Sequence, residues 1–408
     1  MQHNQNQPHH AQRKPLSTGP QTPEEWKSHW QALGQEWRTE PESSTQRQTE
    51  LAKYRATKPD EEKGMYPFSQ VKLNRADIEW LLATHENGRG PVIWSDESQR
   101  ERRGLDLRGA NLSRKENQSV NLMSLPLSQL IGGDANIFLN ENQKTQAAIH
   151  LEGADLYNAY LEGANLRSAH LEGVDLKETS LVDTHHIGPQ IADVQWGNTN
   201  LAIVDWSQIT LLGDEYRARQ RYKKQGQRKQ KNTRVAEYKD AARANRQLAV
   251  ALQAQGISED ASRFAYRAQV SQKAVFWFQM IQENVPLRTR ISYLGNWLFS
   301  WFMFLIAGYG YRFGRSLLTY LAVISGFATL YYSYGINDVD AHGKPGPHHL
   351  SFYEAVVVSM TAFHGRGFFV GTFSPGDPQA LVASIEAFLG LLIEVIFIAT
   401  LTRRLFTQ

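Results

Sequence analysis

The sequence predicts a multidomain chain. A square coil of five-residue repeats comes first, then a helical hairpin, then a membrane module built as helix, re-entrant loop and helix. Three observations predict it. A leucine recurs at every fifth position from Leu151 to Leu181. Residues 235–284 show helical periodicity broken once, at Gln255-Gly256. The last ~110 of the 408 residues hold two long apolar stretches flanking a short one, whereas the chain before them is polar.

Composition excludes several classes. The net charge of +3 and pI near 8.8 are too mild to name a partner. With no cysteine, disulfides and thiolate metal sites are excluded. The segment MQHNQNQPHHAQRKPLSTGPQ has no apolar core, which argues against a signal peptide and for a cytosolic start. Residues 1–70 read as a mostly disordered tail with one short helix from Pro23, carrying Trp26, Trp30 and Trp37. Residues 71–103 read as a helical cap, with Asn74 capping a helix over 76–86 and Asp77 three residues later.

From Gly104 the period of five takes over, through Leu107, Leu112, Leu122 and Leu127 and then Leu151, Leu156, Leu161, Leu166, Leu171, Leu176 and Leu181. Small residues stand two positions before most of the later leucines, as at Ala154, Ala159, Ala164 and Ala169. An insertion near 138–148 shifts the register by one, and His185, His186 and Pro189 interrupt the end before Leu201, Trp206 and Leu211 close it. Five matches neither 3.6 nor 2, so a repeat architecture with one pentad per side is required, leucine inside and the small residue at the corner. This pattern, over 104–212, resembles the pentapeptide-repeat family, which implies a right-handed quadrilateral β-helix.

Residues 213–290 are a basic segment and helical hairpin. Residues 217–234 contain nine Lys or Arg and no acid. A solvated linker is one reading, contact with anionic lipid headgroups through Arg217–Arg234 a second, and nucleic-acid binding the weakest, since only Tyr216 and Tyr222 interleave. Residues 291–314 read as an interfacial helix with Trp297 and Trp301 at headgroup level.

Residues 315–408 form the membrane module. A first span is read at 315–334, a short helix at 351–362, a Gly-containing loop at 361–367 and a second span at 379–402. Arg312, Arg315, Arg403 and Arg404 flank the spans and place both termini inside, giving a multi-pass protein of the plasma (inner) membrane. AGYGYRFGRSLLTYL, SFYEAVVVSMTAFHGRGFF and SIEAFLGLLIEVIFIATLTRRL, in that order, resemble the two-transmembrane potassium-channel-like pore domain. The whole chain resembles bacterial proteins that fuse pentapeptide repeats to such a pore. The resemblance implies a homotetrameric ion channel, with the lipid bilayer and permeant ions as partners. Its filter falls on Thr361, Ala362, Phe363, His364, Gly365, Arg366 and Gly367. Phe363 replaces the first filter glycine and Arg366 the acid at the outer mouth, so weak selectivity is expected. Arg366 either forms a positive ring or pairs with Glu354 or Glu386. Glu394, eight residues after Glu386, either lines the pore or bonds a neighbouring helix, and Gly390 is either a hinge or a close-packing site.

No phosphate loop, nucleophile elbow or metal-spaced cluster is legible, so the chain reads as a non-enzyme without catalytic residue, metal or cofactor. The alternative is a non-conducting, membrane-anchored repeat scaffold or a DNA-mimic-like binding protein. Against mimicry, the exposed pentad positions mix Arg, Lys, Glu and Tyr.

Overall fold

The computed structural model describes residues 19–116, 118–223, 226–283, 285–339, 345–365 and 378–406. Two compact units emerge, one of residues 1–135, 139–183 and 195–204, the other of 136–138, 184–194 and 205–408.

The first unit begins with α1 (Pro23–Ala32), which starts at a reciprocal capping box between Thr22 and Glu25. Trp30 is buried, donates its indole N–H to the Glu40 carbonyl at 2.9 Å and lies under the Arg38 guanidinium. Helix α2 (Thr45–Ala56) follows within the stretch expected to be mostly disordered. It buries only Leu51, so it carries no apolar stripe for periodicity to detect. An ion pair fixes it instead: the Arg47 guanidinium donates to Asp77 at 3.1 and 2.8 Å. Helix α3 (Arg75–Ala83) opens on the Asn74–Asp77 capping box. Its Glu79 is fully buried and satisfied by Arg75 at 2.7 Å and by the N–H groups of Thr39 and Glu40. One further turn, α4 (His85–Gly88), precedes the repeats.

In the repeats, Leu151, Leu156, Leu161, Leu166 and Leu171 are all at most 3% exposed, and Ala154, Ala159, Ala164 and Ala169 at most 1%. Parallel bridges pair His150 with His170, Asp155 with Asp175 and Tyr160 with Ser180. Each pairing joins residues twenty apart, so four pentads complete a turn. Rungs run both ways, from Leu151 N–H to the His170 carbonyl at 2.9 Å and from His170 N–H to the Ile149 carbonyl at 3.0 Å. A right-handed quadrilateral β-helix is what the resemblance implies, but the described residues of the repeats hold isolated bridges and no strand. The chain turns a corner in every pentad, leaving about one extended residue per side to pair. The insertion is helix α5 (Glu141–Ala147), capped by Asn140. Bridges across it, such as Asn121 with Asp155, skip thirty-four residues, which is not a multiple of five and accounts for the shifted register.

The second unit takes residues 184–194 and 205–212 of the 104–212 segment that the sequence assigned to one domain, while 195–204 stay with the first. Hydrogen bonds within the unit supply the reason. The N–H groups of Ile191 and Ala192 donate to Asp214, and that of Asp193 to Gln247. Arg263 donates to the carbonyls of Trp206, Ser207 and Ile209. Those partners sit on α6 (Gly213–Arg219), α7 (Lys231–Ala254) and α8 (Ser258–Met280). Helices α7 and α8 form a hairpin through Gly256, at φ +78°, and Arg267 clamps Glu215 at 2.9 and 3.1 Å. Helix α9 (Leu287–Ala307) ends in left-handed Gly308. Then come α10 (Phe313–Tyr334), two short antiparallel strands β1 (Ile336–Val339) and β2 (Pro345–His348), α11 (Phe352–Phe363) and α12 (Pro378–Phe406).

Candidate functional site: a short helix held between two apolar helices

Among the described residues, two helices are long and apolar enough to cross a membrane: Phe313–Tyr334 of α10 with mean hydropathy 1.3, and Pro378–Thr402 of α12 with 2.4. Only 17% and 22% of these windows are buried, unlike the core helices of a water-soluble domain. On α12, Leu381, Ile385, Phe388, Leu391, Val395 and Ile398 are exposed at spacings of three and four, a continuous apolar face that the chain itself leaves uncovered.

Helix α11 has twelve residues, too few to span. Ser351 caps it, with Glu354 completing the box: its carboxylate accepts from the Ser351 N–H at 2.7 Å and hydroxyl at 2.8 Å. Left-handed Gly365, at φ +63°, follows the C-terminal end. Two contacts anchor the helix laterally. Glu386 on α12 is fully buried, accepting from the Tyr331 hydroxyl at 2.8 Å and lying 2.5 Å from the Ser359 hydroxyl. Ser359 Oγ also lies 2.9 Å from the Ile324 carbonyl. A hydroxyl has one proton and the carbonyl only accepts, so all three contacts are hydrogen bonds together when the Glu386 carboxyl carries a proton and donates to Ser359. A neutral carboxyl also suits an apolar surrounding, where a lone charge is costly.

The second anchor is Gly390. A Cβ placed there would lie 2.0 Å from the Phe363 carbonyl oxygen, so the missing side chain is what lets α11 reach α12. Phe363 is fully buried and clusters with Ile306, Ile324 and Ile393, its ring edge-on to Tyr320 at 4.9 Å.

The nominated filter residues therefore occupy different settings. Thr361, Ala362 and Phe363 lie on the last turn of α11 and not in a loop, since the helix runs one residue beyond 362. Thr361 donates to the Val357 carbonyl, and Ala362 is buried. His364 is the C-cap; its Nδ1 lies 2.8 Å from the Met360 carbonyl and its Nε2 3.1 Å from the Tyr320 hydroxyl. The carbonyl can only accept, so Nδ1 is the donor in that contact. Arg366 and Gly367 lie outside the described residues. Glu354 and Glu386 are thus far apart in role, one a helix cap and the other a buried link. Glu394 is half-buried on α12 with no hydrogen bond or ion pair among the described residues. Tyr331 and Ser359 were not nominated. Ser359, polar within an apolar helix, was the available signal.

A basic cavity of about 1650 Å³ opens among the 219–232 segment, α7, α8 and α9. Arg221, Arg228, Arg234 and Lys273 line it, and none of them pairs with an acid among the described residues. Arg234 stacks on Phe278, and its Nε is buried without a hydrogen bond among the described residues. Lys273 sits over Trp301 and Phe304, and burial, with the nearby Arg315 charge, holds its ammonium below the usual lysine range. Other members of the basic run are neutralised, as where Lys229 and Arg217 meet Glu237.

Residues 148–184 match the pentapeptide-repeat family. The match comprises eight copies of the repeat. No curated protein and no solved structure matches the chain. The pentapeptide repeats account for the leucine-lined coil. The apolar helices lie outside the match, so their function is argued from their geometry.

Proposed function

We propose that this is a membrane protein whose α10, α11 and α12 form the pore of a homotetrameric ion channel, with the pentapeptide-repeat β-helix as a cytoplasmic regulatory or assembly domain. The observation that carries the reading is α11. It is an apolar helix too short to span, capped at one end, stopped by glycine at the other, and locked by Ser359–Glu386–Tyr331 and by Gly390 between two helices that are long enough. Irregular backbone at membrane depth is tolerated where it lines a water-filled cavity. The uncovered face of α12 suits lipid and sister subunits, because one copy of the module encloses no path. The protein resides in the inner membrane with both termini cytoplasmic, and the basic cavity meets anionic headgroups. Phe363 spends its side chain on the core and its carbonyl on the approach to Gly390, which supports weak discrimination between K⁺ and Na⁺. Glu394, unpaired among the described residues, is the residue assigned to concentrate cations in the pore.

The experiment is single-channel recording of the purified protein in planar bilayers with ion substitution, alongside native mass spectrometry. Cation-preferring currents, lost or reduced in Glu394→Gln, with a four-chain mass are expected. A monomer that passes no current would move the assignment to a membrane-anchored scaffold.

A further inference from the structure

We infer that the pentapeptide repeats carry a divalent transition-metal site formed by His150, Glu152, His170 and Glu172. No spacing in the sequence suggests it, because the two His-x-Glu pairs stand twenty residues apart. Twenty residues is one turn of the coil, so the bridge between His150 and His170 stacks the second pair on the first. The imidazole rings lie parallel within 10°, with centroids 4.4 Å apart.

The donor atoms converge, one separation at the tetrahedral zinc value and the other two within about half an ångström of it. His150 Nδ1 lies 2.9 Å from Glu152 Oε1, His170 Nδ1 lies 3.8 Å from that same oxygen and 3.5 Å from Glu172 Oε1. Zinc bonds of about 2.0–2.2 Å in a tetrahedron put neighbouring ligand atoms ~3.3–3.6 Å apart. The ligand atoms of His150, Glu152 and His170 all fall within 4.8 Å of one another. The four side chains are 25–35% exposed, which leaves an ion a way in. Glu152 Oε2 and Glu172 Oε2 are buried and have no hydrogen-bond partner among the described residues, so both carboxylates have an oxygen to spare. Two nitrogens and two carboxylates suit zinc or its first-row neighbours and not calcium, which takes six or more oxygens. The bound ion staples two successive coils on their outer face, and its affinity falls as acid protonates the imidazoles.

The test titrates the metal-stripped full-length chain with Zn²⁺ by calorimetry and follows the thermal transition of the repeats. The wild type is expected to take up one more equivalent of zinc per chain than His150→Ala/His170→Ala, and to show a zinc-induced rise in melting temperature that the double variant lacks. Histidines elsewhere supply the same background in both proteins. Should the double variant fail to fold, Glu152→Gln/Glu172→Gln replaces it: these amides keep the side-chain size, and their affinity should fall at least tenfold. Equal stoichiometry and affinity in wild type and variant, or a zinc-induced shift that persists in the variant, means a hydrogen-bonded His–Glu ladder only and overturns the proposal.

Discussion

Replacing Gly390 by alanine separates a packing glycine from a hinge glycine. The new Cβ would sit 2.0 Å from the Phe363 carbonyl oxygen, 2.8 Å from its carbon and 3.0 Å from the ring. Ordinary contact begins near 3.4 Å, so α11 and α12 must part by about 1.4 Å. The nearest atoms are backbone, which no rotamer change relieves. Overpacking of this kind costs about 1–3 kcal/mol, and a backbone clash belongs at the upper end. Alanine returns ~1 kcal/mol of helix propensity, leaving a net loss of about 2 kcal/mol. Gly326→Ala on α10 is the control, because a Cβ there meets nothing within 4 Å and only the propensity gain remains. The chain has no cysteine, so Ala383→Cys, fully buried beside α11, provides a single thiol probe. Its modification by a thiol reagent is followed against temperature in detergent, in each glycine background. The midpoint should drop by several degrees for Gly390→Ala and hold or rise for Gly326→Ala. Equal midpoints for the two variants would refute the close-approach argument and leave Gly390 as a hinge.

Leu161→Asp places a carboxylate on the axis of the coil, where the native side chain is fully buried, and should abolish the thermal transition of the repeats; a surviving transition shows that the register is wrong. Glu386→Gln offers one donor and one acceptor, as a protonated carboxyl does, and should stay within about 1 kcal/mol of wild type in the same thiol assay. Glu386→Ala strips Tyr331 of this acceptor and should lose about 2 kcal/mol or more. Damage from Gln equal to that from Ala would count against a neutral Glu386.

Local chemistry determined a good deal of this protein without help. The leucine period decided which side chains lie inside the coil, because an inward position every fifth residue belongs to the pentad itself. The Thr22–Glu25, Asn74–Asp77 and Ser351–Glu354 boxes each join residues three apart, and each opens a helix. Runs of apolar residues marked the two long helices and the short one between them. Only the tertiary structure decided the pairings. Glu386 was an open choice between a partner for Arg366 and something else; its partners Tyr331 and Ser359 lie fifty-five and twenty-seven residues away. Phe363 stood at a filter position by order along the chain, yet it ends a helix and fills a core. Helix α2 escaped because its anchor is Arg47 on Asp77, thirty residues off. The His150–His170 stack depends on a turn of four pentads, a count that no single pentad contains. A residue's own polarity and period report its surroundings, buried or wet. Which distant residue supplies those surroundings depends on how whole segments pack, and that information is spread over the entire fold.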